Sequence, residues 1–533
     1  MTEQPIDVLI IGSGASGAAV AWSLAETRMR IVCLEQGDWM NPADYPSNGR
    51  DWEAREFGDY SISPNHRNRV TDYPVNDTDS PIKVANFNGV GGSTILYSGH
   101  FPRFHPSDFR VKTLDGVAED WPIDYQTLEP FYAENDRMMG VSGLAGDPAY
   151  PDKESLMPPV PLGKSGELLA RGFNALGWHW WPSDSAVATE QYDGRDKCIN
   201  LGLCGSGCAQ GAKASTDITY WPHAIRNRVE VRPRCRVREI TVNKQGMASG
   251  VIYYDADGVE HELAAEVVVV ACNGVGTPRL LLNSTSALFP DGLANSSGLV
   301  GKNFMFHPYA SVYGVFDESM EGHTGPHNCI WSQEFYETDP ARDFVRGFIF
   351  ECSRGQGPVS TALAGMMSGA IAWGQDHHRA FREMYPRLAG MMVICEDLPE
   401  EHNTVTLDPV QTDSDGIPAP KVTYRLSDNS LKMLKYGADR ASEVLKAAGA
   451  KDILCESPLA EGGYHLMGTA RMGTDPATSV VNEWGRSHDV KNLFIVDGSI
   501  FVTCAGVNPT RTIQALALYI ADAMKQRLAN LFD

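Results

Sequence analysis

Residues Ile6 to Ile11 are almost continuously apolar and stop at a glycine, which predicts a short, fully buried strand. The small residues Ala18 to Ala25 predict a helix, and Arg30 to Leu34 a second strand that ends at Glu35. Glu266 to Ala271 and Asn492 to Val496 are two further runs of the buried-strand type. Both end at small residues, where a parallel sheet presents its carboxyl edge. Thr510 to Leu528 repeats apolar residues at helical spacing (Ile513, Leu516, Ala517, Ile520, Met524) and predicts a closing helix. Between these pieces the pattern changes. Residues 40–80 are rich in Asn, Asp and Pro and read as an irregular excursion. The region 311–454 has β-rich stretches at Ala310 to Phe316 and Lys421 to Tyr424, and a helical stretch from Ser430 to Ala448. Asp408 to Pro420 predicts a turn-rich surface hairpin. The fold class expected is α/β.

The turn after the first strand carries chemistry. Gly12-Ser13-Gly14-Ala15-Ser16-Gly17 joins that strand to the helix, and Glu35 lies 18 residues after Gly17. In such a Rossmann-like fingerprint Gly12 allows the tight turn, Gly14 lets the backbone approach a pyrophosphate, and Gly17 lets the helix pack on the strand. The helix N-terminus, at Ser16, offers unpaired N–H groups to phosphate, and Glu35 can accept from ribose hydroxyls. The motif implies a dinucleotide without separating NAD from FAD.

Six blocks in order resemble the glucose–methanol–choline family of flavin oxidoreductases, over nearly the whole chain. Besides the fingerprint they are Asn88 to Thr94, Trp121 to Tyr125 with Leu128 and Tyr132, Gly274 to Pro278 with Leu280 to Leu282, Val300 to Asn303 with His307-Pro308, and a C-terminal group. That group is Tyr464 to Gly473, Val496 to Ser499 and Gly506 to Thr510. The resemblance implies a Rossmann-like FAD-binding domain (1–40, 80–125, 195–310 and 455–533) interleaved with a mixed α+β cap domain and insertions (41–79, 126–194 and 311–454). Gly89, Gly91, Gly92, Ser93 and Thr94 are then the glycine loop beside the flavin, and Asp497 and Gly498 bind its ribityl–pyrophosphate end. Ile95-Leu96-Tyr97 stands where the family often carries an Asn. No His holds an obvious attachment position in the loop, so FAD is expected noncovalently, with His100 and His105 nearby.

The activity implied is oxidation of a small-molecule alcohol to an aldehyde or ketone, with hydride passing to flavin N5. A base must take the hydroxyl proton, and His is apt because its pKa lies near working pH. Of fourteen His residues, His465 occupies the place of the family's catalytic His. Asn508 stands where relatives have His or Asn; it can hold the substrate oxygen but cannot be the base. Pro509 and Thr510 open a helix whose positive end would face the flavin and favour its reduced, anionic form. A bulky, aromatic or sugar alcohol is expected, on the Trp and Met content of the cap. Trp178-His179-Trp180-Trp181 reads either as an aromatic pocket wall or as core or an interface. His377-His378 lacks a third ligand at suitable spacing and reads as surface.

The formal net charge of −22 excludes nucleic acid and an anionic membrane face as partners, and no apolar run is long enough to span a bilayer. The N-terminal residues lack a signal-peptide pattern, so the cytoplasm is the expected compartment. Eleven cysteines are mostly scattered and read as reduced thiols. Cys198, Cys204 and Cys208 are crowded in a glycine-rich loop and leave two readings open. They are three free thiols, or they hold a [3Fe–4S] cluster, as in some similar bacterial sugar dehydrogenases. In the cluster reading an electron-transfer subunit is the partner and export to the periplasm with it becomes an option. Otherwise oxygen or another acceptor takes the electrons. A non-redox hydroxynitrile lyase is a further use of the same scaffold.

Overall fold

The computed structural model describes residues 5–527 apart from 68, 323, 326, 354 and 356. Its largest sheet has seven strands. The order is Glu230–Arg232, Ile31–Leu34, Ile6–Ile11, Glu260–Val270, Ala248–Tyr254 and Arg236–Val242, with Leu493–Ile495 also paired to Glu260–Val270. The pairings around Ile6–Ile11 and Leu493–Ile495 are parallel; those of Ala248–Tyr254 are antiparallel. The long strand Glu260–Val270 shows why its sequence changes character. Its first half alternates exposed and buried residues, as one face of an antiparallel pair meets water. Its last four residues, Val267 to Val270, are all buried between two parallel neighbours, and there the alternation disappears.

The two ends of the chain meet on this sheet. The helix Ala15–Leu24 packs against the helix Thr510–Arg527, which in turn packs on Tyr125–Met139. Leu528, expected to end the closing helix, lies outside the described residues.

A second sheet has six strands in the order Asp452–Glu456, Tyr309–Val315, Leu388–Cys395, Phe348–Ser353, Asn328–Ser332 and Trp181–Pro182. Asp452–Glu456 crosses the boundary expected at 454/455. The two faces of this sheet differ. Phe348, Phe350, Cys352, Met391 and Val393 point into an apolar core under the helices Asp428–Ala447 and Gly163–Leu176. The alternate positions Glu351, Ser353 and Met392, together with Tyr309, line a cavity on the other side. A smaller sheet of Thr404–Thr412, Pro418–Thr423 and Asn76–Asp79 contains the expected hairpin and packs on the helix Asn273–Asn283.

None of Trp178, His179, Trp180 and Trp181 lines the cavity. Trp178 packs edge-on against Phe335, and Trp181 belongs to the edge strand of the second sheet. The aromatic-pocket reading of these residues is therefore corrected to packing. His377 and His378 begin a surface helix, His377–Met384.

Candidate active site

A cavity of about 780 Å³ runs between the two large sheets. It begins at the glycine turn. Gly12 has φ +98°, and a Cβ there would lie 2.4 Å from the Ala271 carbonyl oxygen, so only glycine fits the turn against the neighbouring strand. The helix Ala15–Leu24 starts at Gly14 with no side chain capping its free N–H groups, and these are the donors a phosphate would use. Gly92 presses on Gly14: a Cβ on Gly92 would lie 2.8 Å from the Gly14 Cα. The two glycine segments thus form one floor.

Gly12, Gly14, Ser16, Glu35, Gly92, Ser93, Thr94, Asp497, Gly498, Pro509 and Thr510 all line the cavity. Gly17, Gly89 and Gly91 do not; they lie behind it, where Gly17 abuts the Gly12 carbonyl and Gly89 approaches Asp38. Glu35 is fixed from both sides. One carboxylate oxygen accepts from the Ser13 amide at 2.9 Å and its hydroxyl at 2.7 Å, and the other accepts from the Gly37 amide at 2.9 Å. Asp497 is held likewise by the Thr277 hydroxyl at 2.6 Å and the Ser499 amide at 2.8 Å. Burial pushes both carboxyl groups upward, and these hydrogen bonds oppose the shift. The uncapped helix end, the close-packed glycines and the fixed Glu35 fit a dinucleotide cofactor.

The far end of the cavity is built from side chains. His465 is half-buried and lines the cavity beside Asn508. Its Nδ1 lies 2.6 Å from Nδ1 of His307 and 3.2 Å from the Tyr309 hydroxyl. His307 is fully buried, and its Nε2 faces the carbonyl oxygens of Cys504 at 3.1 Å and Ala505 at 2.8 Å. Carbonyls only accept, so His307 carries its proton on Nε2. Burial lowers His307 to about 4, so the ring is neutral and its Nδ1 is an acceptor. His465 must then donate from Nδ1, which leaves its Nε2 as an unprotonated base. Burial, with His307 and His100 adding to it, pushes His465 well below the ordinary imidazole range.

Two more residues complete this end. His100 lies in the cavity wall with Nδ1 hydrogen-bonded to the Glu351 carboxylate and 3.0 Å from Asn508 Oδ1. His105, by contrast, is buried away from the cavity and stacks on Tyr336 at 4.1 Å. The sequence reading placed His307 in a motif without a role, and it missed Glu351. A lone acid in the apolar run Phe348 to Ser353 was the available signal.

Residues 163–309 match the N-terminal and residues 399–517 the C-terminal part of GMC oxidoreductases. A 2-methyl-1,2-propanediol dehydrogenase of Mycolicibacterium austroafricanum is 42% identical, over 99% of this chain and 96% of its own. The chain belongs to the GMC oxidoreductase family. Paromamine 6'-oxidase of Streptomyces fradiae is 30% identical to this GMC oxidoreductase over 98% of the chain and 92% of the relative. Among solved structures, pyridoxine 4-oxidase shares the fold with a TM-score of 0.69 at 16% identity, over 98% of this chain and 99% of the other.

The iron–sulfur reading of the cysteine loop gains no support in this GMC oxidoreductase. Among the described residues no three His, Cys, Asp or Glu side chains are grouped to hold a metal. Burial pushes the Cys204 thiol up to about 11, partly offset by Lys213. Lys213 is buried and donates to the carbonyls of Ile95 at 2.8 Å, Tyr97 at 2.6 Å and Cys204 at 2.8 Å. It ties the cysteine loop to the segment that follows the second glycine loop.

Proposed function

We propose that this chain oxidises a CH–OH group to a carbonyl, with His465 Nε2 taking the hydroxyl proton. The observation that carries the reading is the chain of hydrogen bonds from the Cys504 and Ala505 carbonyls through His307 to His465. It leaves a neutral, directed base inside the same cavity that the glycine fingerprint opens. Asn508, beside it, holds the substrate oxygen, and its own carbonyl oxygen is engaged with His100. FAD bound along Gly12, Gly14, Ser16, Glu35, Gly92, Asp497 and Gly498 supplies the hydride acceptor. The N-terminus of the helix Thr510–Arg527 opens on the cavity at Pro509 and Thr510, and its dipole favours negative charge there.

Two of the similar proteins named above are a 2-methyl-1,2-propanediol dehydrogenase and a paromamine 6'-oxidase, which supports an alcohol bearing further polar groups. Trp178, Trp180 and Trp181 lie outside the cavity and lend an aromatic alcohol no support. The test is a panel of alcohols added anaerobically to the FAD-loaded protein. Bleaching of the flavin by at least one alcohol is expected, and its recovery in air separates an oxidase from a dehydrogenase. A flavin that no alcohol bleaches would overturn the reading and favour a non-redox use of the scaffold.

A further inference from the structure

Glu351 is the one acid in a strand that is otherwise apolar or small, Phe348-Ile349-Phe350-Glu351-Cys352-Ser353. The strand turns its even-numbered residues into the core and Glu351 into the cavity, directly opposite Met392 on the neighbouring strand. Placing a carboxylate in such a wall is costly unless it is paired. His100 supplies one partner, through Nδ1. Among the described residues no second hydrogen bond reaches the carboxylate, and its side chain keeps 6% of its surface accessible. One acceptor position of Glu351 therefore remains open at the cavity.

Its location decides what could occupy it. His100 Nδ1 also touches Asn508 Oδ1 at 3.0 Å, so Glu351 stands one side chain away from the group that holds the reacting oxygen. The occupant must donate a hydrogen bond, and it must belong to the part of the substrate next to the oxidised carbon. A hydroxyl and an ammonium group both donate. An ammonium there would withdraw electrons from the carbon that must release hydride, and it would place a positive charge beside the His100 imidazole in the cavity that His465 also lines.

We propose that Glu351, oriented by His100, accepts a hydrogen bond from a second hydroxyl on the carbon adjacent to the one oxidised, so that vicinal diols and polyols are selected over simple alcohols. This deepens the reading above and rests on it. A site built to hydrogen-bond a substrate hydroxyl rejects the analogue lacking it strongly, because its own buried polar groups are left unpaired.

The test uses three matched primary alcohols: 2-methyl-1,2-propanediol, 2,2-dimethyl-1-propanol and 2-amino-2-methyl-1-propanol. They place a hydroxyl, a methyl or an ammonium at the same position. In the FAD-loaded wild type, kcat/KM for the diol is expected to exceed that for the dimethyl compound by roughly 100-fold or more. Glu351→Gln keeps the shape. It is expected to lower the diol value by about tenfold or more relative to the dimethyl value. Glu351→Asp, which keeps the charge but withdraws it, is expected to fall between and serves if the Gln variant fails to hold flavin. In His465→Ala, which is expected to reduce the flavin only slowly, the diol's dissociation constant read from the flavin spectrum is expected to rise about tenfold when Glu351→Gln is added. The proposal is overturned if Glu351→Gln lowers all three alike, if the amino alcohol is preferred, or if other alcohols bleach the flavin while the diol does not. If no alcohol bleaches it, the fault lies with the oxidation reading itself.

Discussion

The two ends of the cavity are made in different ways. The end at Gly12, Gly14 and Gly92 is backbone: a tight turn, a helix N-terminus and two glycine segments in contact. The end at His465 is side chains: Tyr309 and Glu351 come from strands of the second sheet, and His100, His307 and Asn508 from loops, Asn508 just before the last helix. A backbone site is encoded locally, because a few small residues suffice to let the chain approach a ligand. A side-chain site depends on partners hundreds of positions apart, and each one fixes the protonation of the next.

This contrast can be broken most sharply at His465. His465→Gln is expected to cut turnover by roughly a thousandfold while FAD content and melting temperature stay near wild type, because only a proton acceptor is lost. Loss of FAD in that variant would contradict the separation of the two ends. Lys213→Met is the next largest effect. It leaves three carbonyls without their shared donor and is expected to destabilise the fold by about 3 kcal/mol, read as a lowered denaturant midpoint. Gly12→Ala forces a Cβ into the Ala271 carbonyl at positive φ and is expected to cost about 2 kcal/mol and most of the bound FAD. Here FAD content, measured on the purified protein, is the deciding quantity.

His307 sharpens the comparison within the reaction end. His307→Leu removes the acceptor that fixes the His465 tautomer, and a neighbour that helps hold its pKa down. It is expected to lower kcat by about 10- to 100-fold and to move the acid limb of kcat toward higher pH. A purely structural role would lower kcat without moving the limb. The smallest effect is on stability. His307 folds with its pKa lowered to about 4, so the unfolded chain binds the extra proton first. Its contribution is present in full above the ordinary imidazole pKa and declines as pH falls toward 4. Denaturant midpoints measured between pH 7 and 4 in wild type and His307→Leu should converge as the pH drops.

Much of the backbone end was legible from sequence. Ile6 to Ile11, the glycine turn and Glu35 lie within one short stretch whose period and punctuation carry the fold. The closing helix and the long cap helix were legible through their spacing. Phe348–Ser353 and Leu388–Cys395, central in the second sheet, were not. They are short apolar runs, which periodicity alone does not separate from buried helix, and neither ends in a diagnostic turn. At the reaction end, His465 and Asn508 were placed by family resemblance and do lie together in the cavity. Their working partners were out of reach. The tautomer of His465 depends on carbonyls at Cys504 and Ala505 acting through His307, and the engagement of His100 depends on Glu351, 251 residues away. Cys198, Cys204 and Cys208 left two readings open in the sequence; among the described residues no metal-holding group forms there, and Lys213 ties the loop to carbonyl oxygens.

The central claim is that a neutral His465 takes the substrate proton. The direct measurement is the rate of anaerobic flavin reduction by a bleaching alcohol, followed from pH 5 to 9 in wild type and His465→Ala. Because burial and two neighbouring imidazoles lower His465, its neutral form persists below pH 6.5. The wild-type rate is expected to be flat above that pH and to fall only on the acid side of it. The variant is expected to reduce slowly and without that limb. Equal rates and equal profiles in the two proteins would contradict the account.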